Sequence, residues 1–263
     1  MKILHTADWH LGQTFYEYDR REEHFHFLEW LKQQIKQHEI DVLLIAGDVF
    51  DSPNPSAESQ RVYYRFLREV TSENPSLQIV IIAGNHDSAA RLEAPNPLLE
   101  DMNIIVRGTV RRNAEGDIDL QHFIVPLYTE GKVTAYCLAV PYLRQGDYPS
   151  AENYSKGVQQ LYEQLFNKVK EKGIPVVAMG HLQATGSEIS EDDRSERTVI
   201  GGLECVSPDA FNEAITYTAL GHLHRSQRVS HRENVRYSGT PMPMSFAEKN
   251  NASGVVTVSY THL

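Results

Sequence analysis

Apolar residues run along this chain in two rhythms. In five short stretches, residues 3–6, 42–46, 79–83, 176–179 and 217–220, nearly every position is apolar. Runs of that kind predict strands covered on both faces, as in a layered α/β protein. Between them the apolar spacing lengthens to three and four. Phe27, Leu28, Leu31 and Ile35 share one helical face within residues 20–38, and Val62, Phe66, Leu67 and Val70 do so within 57–73. Leu161, Leu165, Phe166 and Val169 repeat the pattern within 158–172, so three amphipathic helices are predicted. The middle of the chain differs again. Strand-like stretches at 104–110, 121–125 and 133–140 are separated by the turn-rich residues 113–117 and by Glu130, Gly131 and Lys132, a pattern that predicts an antiparallel hairpin region. Residues 254–260 read as a last strand, and no break in composition divides the chain.

Composition narrows the class. With 263 residues, 41% of them hydrophobic and 23% charged, the chain reads as folded rather than disordered or repetitive. Its longest apolar runs fall far short of the roughly 20 residues that cross a bilayer. The first residues lack the long apolar core of a secretion signal, so a cytoplasmic location is expected, with Cys137 and Cys205 as reduced thiols. Basic residues number 25 and acidic residues 35, a net charge of -10. That balance excludes nucleic-acid binding by bulk electrostatics and leaves room only for a local site. Arg107, Arg111 and Arg112, or Arg225, Arg228, Arg232 and Arg236, are candidate local clusters, although a solvated face explains each arginine separately.

The chemistry lies just beyond the apolar runs. Five loops begin where a predicted buried strand ends. They read Asp8-Trp9-His10, Gly47-Asp48-Val49-Phe50-Asp51, Gly84-Asn85-His86-Asp87, Gly180-His181 and Gly221-His222-Leu223-His224. Open α/β sheets bind ligands beyond the carboxyl ends of their strands, so these loops can meet in one crevice. Carboxylate, imidazole and amide oxygen donors without thiolate suit Mn²⁺, Fe²⁺ or Zn²⁺ in an open site. An extended backbone would put Asp8 and His10 on one side, and likewise His222 and His224. Glycines ahead of Asp48, Asn85, His181 and His222 would permit turns or close approach.

Each pattern alone is weak, but the five in this order resemble the calcineurin-like metallophosphoesterase family, whose signature runs D-x-H, G-D-x-x-D, G-N-H-[DE], G-H and G-H-x-H. The resemblance implies a four-layer α/β/β/α sandwich with two divalent metal ions, manganese first among them. Residues 3–12, Arg20, Arg21 and the segment 237–246 further resemble the family's DNA-repair nucleases, which act on DNA as dimers with an ATPase subunit. These nucleases continue past this length into a capping domain and a partner-gripping segment, so residues 1–263 are expected to be the metallophosphoesterase (nuclease) domain without them.

By this resemblance Asp8, His10, Asp48 and His224 hold one ion. Asp48, Asn85, His181 and His222 hold the other, with Asp48 bridging. Metal coordination brings the pKa of water from about 15.7 to about 7, so no separate strong base is needed. His86 is left to contact phosphate and protonate the departing sugar oxygen. Asp51 and Asp87 are candidates for orienting the histidines, against a helix cap at Asp51 and a surface or capping role at Asp87. Trp9 and Phe50 could stack on bases, although packing is the commoner fate of large aromatics. Tyr63, Tyr64 and Leu67 could serve a dimer interface or simply pack a helix. A phosphomonoesterase or cyclic-nucleotide phosphodiesterase would use the same metal site. A scaffold without catalysis would be expected to have lost ligands, and here none is lost.

Overall fold

A computed structural model describes residues 1–187 and 205–259. In chain order the elements are β1 (Lys2–Thr6), β2 (Thr14–Phe15), β3 (Tyr18–Asp19), α1 (Arg21–Gln37), β4 (Val42–Ala46), α2 (Ala57–Glu73) and β5 (Gln78–Ile82). There follow α3 (Ala89–Glu93), α4 (Asn96–Leu99), β6 (Ile104–Arg107), α5 (Leu120–Phe123), β7 (Ile124–Thr129), β8 (Lys132–Ala139) and α6 (Tyr154–Val169). The last are β9 (Val176–His181), β10 (Tyr217–Gly221), β11 (Gln227–Val229), β12 (Arg232–Tyr237) and β13 (Val256–Ser259).

Two sheets face each other. One has the order β13-β1-β4-β5-β6 and the other β11-β12-β10-β9-β8-β7. Successive strand residues point to opposite faces, which explains why the runs are apolar throughout. Ile3, Val42, Leu44, Val80 and Ile82 meet Cys137, Ala139, Val177, Met179 and Ala219 between the sheets. Their alternates Leu4, Leu43, Ile45, Ile79 and Ile81 pack under α1 and α2. Leu138, Ala178, Leu220 and Val235 pack under α6. The result is the expected four-layer α/β/β/α sandwich.

The helix boundaries follow their caps. Ser56 accepts the Ser59 amide at the start of α2, so Asp51 is not its cap. α6 begins at Tyr154, four residues before the expected position, because Asn153 accepts the Lys156 amide; it gives way to a 3-10 turn at Lys170–Lys172. The middle region departs further from expectation. The strand expected at 104–110 stops at Arg107 and pairs parallel to β5, outside any hairpin. Residues 121–125 begin as the short helix α5, whose N-cap Asp119 accepts the Gln121 amide. The hairpin itself is β7–β8, turned by Glu130 and Gly131, both at positive φ (52° and 75°). Of the last expected strand, Tyr260 lies outside the described residues.

Several candidate surface residues prove to be interior. Trp9 is fully buried, donates to Thr6 Oγ1 at 2.9 Å and packs edge-on to Phe27 and Phe66. Phe50 packs on Tyr63. Tyr63 and Leu67 are themselves core, so helix packing accounts for both. Cys137 is buried, and neither it nor Cys205 forms a disulfide among the described residues. No helix among the described residues is long and apolar enough to cross a membrane.

Candidate metal centre

β1, β4 and β5 run parallel in one sheet and β9 and β10 in the other. Their carboxyl ends therefore deliver all five loops to one edge of the sandwich. The first loop is tied to the second by Asp8 N–H to Gly47 O and His10 N–H to Asp48 O, both 3.0 Å. Asp8 Oδ1 accepts the His222 amide at 3.0 Å, which joins the sheets across 214 residues of sequence.

The backbone at these candidate donors is not extended. Asp8, His10, Asp48 and His222 have φ of 54°, 46°, 49° and 102°. Such conformations cost non-glycine residues on the order of 1–3 kcal/mol each and gather at functional sites. The expectation of an extended Asp8-Trp9-His10 and His222-Leu223-His224 is thus corrected. The chain instead curls so that ligand atoms of Asp8, His10 and His224 lie within 4.8 Å of one another, as do those of Asp8, Asp48 and His181. Gly47 sits at φ 92°, and a Cβ on Gly84 would fall 2.1 Å from Asp48 Oδ1. Only glycine lets the 84–87 loop close down on that carboxylate.

Around Asn85 and His181 the donors crowd. His181 Nδ1 donates to Ala46 O at 2.9 Å. Its Nε2 then faces Asn85 Oδ1 at 2.9 Å and Asp48 Oδ2 at 3.4 Å, and His222 Nδ1 also lies 2.9 Å from Asn85 Oδ1. In the neutral tautomer that Nε2 presents a lone pair to two oxygens. The arrangement calls for positive charge, supplied by a proton or a cation. Burial acts to lower the His181 pKa, but Asp48 and Asp8 outweigh it and raise it to about 9. Burial likewise acts to raise Asp48, yet the imidazoles of His181, His10 and His86 hold it below the usual carboxylate range. Asp8 is raised, chiefly by burial, against His181 and His224.

The other half of the centre has its own supports. Among the described residues neither ring nitrogen of the buried His10 finds a hydrogen-bond partner. Nδ1 lies 3.3 Å from Asp51 Oδ1 and Nε2 lies 3.8 Å from Asp48 Oδ2. His224 Nδ1 donates at 2.7 Å to the fully buried Glu248, which also accepts the Met244 amide at 2.7 Å. Thr240 donates its hydroxyl to Asp8 O and its amide to His224 O, so the 237–246 segment braces two of the candidate donors. Glu248 and Thr240 are absent from the expected site. Glu248 stands 24 residues beyond His224, in a stretch whose composition marks only a surface turn.

His86 donates its amide to Asp48 Oδ1, and its Nδ1 donates to Asp51 O, each at 2.9 Å. Asp87 does something else. Its carboxylate accepts the amides of Gly84, Val49 and Phe50, clamping the second loop to the third. Burial and the neighbouring Asp48 raise its pKa to about 6, against those three amides.

The donor set fits divalent ions: buried oxygens and imidazoles converge at one point, and among the described residues no thiolate stands with them. The arginines of the two candidate clusters are largely spent internally. Arg111 pairs with Glu93, Arg228 and Arg236 with Glu233, and Arg107, Arg112 and Arg232 donate to backbone carbonyls.

Comparison with known proteins agrees with this geometry. The SbcD subunit of the SbcCD nuclease from Rhodobacter capsulatus is 42% identical over 97% of the chain, and its counterpart from Escherichia coli K12 is 32% identical over all of it. The chain spans 65% and 66% of those two proteins. A dimetal phosphatase from Danio rerio shares the fold, with a TM-score of 0.50 at 13% identity, covering 97% of this chain and 91% of that one. Residues 1–226 match the calcineurin-like phosphoesterase family, and with its five loops assembled at one sheet edge the chain belongs to that family.

Proposed function

We propose that this chain is the nuclease part of an SbcCD-type assembly. It hydrolyses phosphodiester bonds in DNA as exonuclease and endonuclease, serving DNA repair and recombination beside an SbcC-type ATPase, as a homodimer. The observation that carries the reading is the convergence of Asp8, His10, Asp48, Asn85, His181, His222 and His224 in a chain so similar to proteins named as nucleases.

In this reading Asp8, His10, Asp48 and His224 hold one ion, and Asp48, Asn85, His181 and His222 the other. Manganese is the working metal, since it accepts oxygen and imidazole donors together. Bound divalent cations would polarise a phosphoryl oxygen and lower the pKa of water to about 7. The protein supplies orientation. Ala46 O fixes the tautomer of His181, Glu248 that of His224, and Asp51 faces Nδ1 of His10. With Nδ1 of His86 committed to Asp51 O, Nε2 is the nitrogen that gives or takes a proton at the departing sugar oxygen. A second assignment for His86 has its own support: its ligand atom lies within 4.8 Å of those of His10 and Asp48, close enough to serve as a further metal donor.

The test compares linear duplex DNA with a small aryl phosphodiester, using Mn²⁺-loaded protein with and without EDTA. Metal-dependent cleavage of DNA is expected. Turnover of the small ester with DNA left intact would favour a phosphomonoesterase or cyclic-nucleotide phosphodiesterase on the same site.

A further inference from the structure

The segment after β8 reaches the centre without contributing a donor to it. Tyr142 donates its amide to Ala83 O at 2.9 Å, where β5 opens into the 84–87 loop. Its ring stands edge-on to His181, with centroids 6.2 Å apart and planes at 78°. The Arg144 guanidinium carbon lies 5.6 Å from the centre of the Tyr142 ring. A cation over an aromatic face is attracted by the ring's negative π cloud, which biases where the side chain rests.

The backbone under Arg144 is fixed. Asp147 donates its amide to Arg144 O, and its carboxylate accepts the Arg144 amide at 2.8 Å. Gly146 closes this turn at φ 92°, and Arg112 holds its carbonyl from outside. Arg144 is exposed, and among the described residues its guanidinium has neither an ion pair nor a hydrogen bond. In a chain of net charge -10 in which Arg20 and Arg111 pair with carboxylates and Arg112 with a carbonyl, that is an unspent cation.

We infer that Arg144, steadied on Tyr142, is a subsite for a DNA phosphate next to the one cleaved, on the His181 side of the centre. The inference rests on the nuclease reading. Guanidinium offers a planar fork of donors that matches a phosphate's oxygens, and a stacked fork loses less freedom on binding. A small phosphoester has no second phosphate to place there. The subsite therefore selects polynucleotides over small esters that the metal centre alone would accept equally.

Steady-state kinetics of the Mn²⁺-loaded chain on a single-stranded oligonucleotide and on a small aryl phosphodiester test this, with Arg144→Ala and Arg144→Lys beside the parent. Arg144→Ala should raise KM for the oligonucleotide about tenfold while kcat falls less than about threefold, the signature of lost phosphate binding. Its loss in kcat/KM should be at least about fivefold larger on DNA than on the aryl ester. The dependence of log KM on log salt should become shallower by about 0.7, one single-strand phosphate contact, and Arg144→Lys should restore that slope. Equal losses on both substrates would show that Arg144 merely props the loop, and no loss on either would also overturn the inference. If the parent leaves DNA intact, the nuclease reading fails and the subsite with it. If the parent cleaves DNA and Arg144→Ala matches it, the subsite alone fails.

Discussion

Acid should weaken this fold through a histidine buried between its sheets. His5 on β1 is fully buried between the sheets, with Nδ1 2.9 Å from the Tyr217 hydroxyl on the opposite sheet and the two rings packed edge-on. Burial lowers its pKa from 6.5 to about 3, with a backbone contact at Leu220 acting upwards. Because the folded-state value is depressed, the unfolded chain takes up a proton below pH 6.5 while the folded chain does not until near pH 3. Stability from this group is complete above pH 6.5 and is lost as pH falls from there towards 3. With about 1.36 kcal/mol for each unit of pKa difference, the loss at pH 5 is about 2 kcal/mol. Urea unfolding in EDTA at pH 7 and pH 5, for the parent and His5→Gln, measures it. The variant should be less stable at pH 7, having lost packing, yet its decline to pH 5 should be smaller than the parent's by about 2 kcal/mol. His24 and His122, also lowered by burial, contribute equally to both chains. Parallel declines with unchanged m-values would refute the reasoning.

Other perturbations address the centre. Glu248→Gln removes the buried charge behind His224 and should weaken Mn²⁺ binding about 10–100-fold by calorimetric titration, the usual cost of losing such support. His86→Ala should keep two ions per chain by elemental analysis while losing most DNA turnover; loss of an ion instead would make His86 a donor. Asp48→Ala should lose metal together with activity. Gly84→Ala drives a methyl group against Asp48, so it should lower the melting temperature and metal occupancy together, and an unchanged occupancy would show that the loop can yield.

What can be read from the sequence follows from burial. Residues 42–46 announce themselves because both faces of β4 are covered, and their bounds match the structure. β5 begins one residue earlier than its apolar run because Gln78 spends its side chain on Pro126 O and the Tyr128 amide, so a polar residue can start a buried strand. β11 and β12 show in the sequence only as arginines: they form a sheet edge, where Val235 and Tyr237 face inward and Arg236 between them is half-exposed. The donors themselves are legible because each loop carries its own motif after its own strand. The positive φ values at Asp8, His10 and Asp48 are not, since tertiary bonds between loops impose them. Glu248 is invisible for the same reason, as only the bracing of the 237–246 segment brings it under His224.

The bond from the His222 amide to Asp8, with the donors it aligns, makes the centre a seam between halves of the polypeptide. Each proposed ion draws donors from both sheets, so neither sheet could retain its ion after parting from the other. Occupancy then reports on the whole tertiary structure, and ligation works as a reversible crosslink whose strength the solution sets. At free metal about 100 times the dissociation constant, each ion would add about 2.7 kcal/mol against separation of the sheets. A cell that starves this protein of metal would thus weaken its architecture as well as its chemistry.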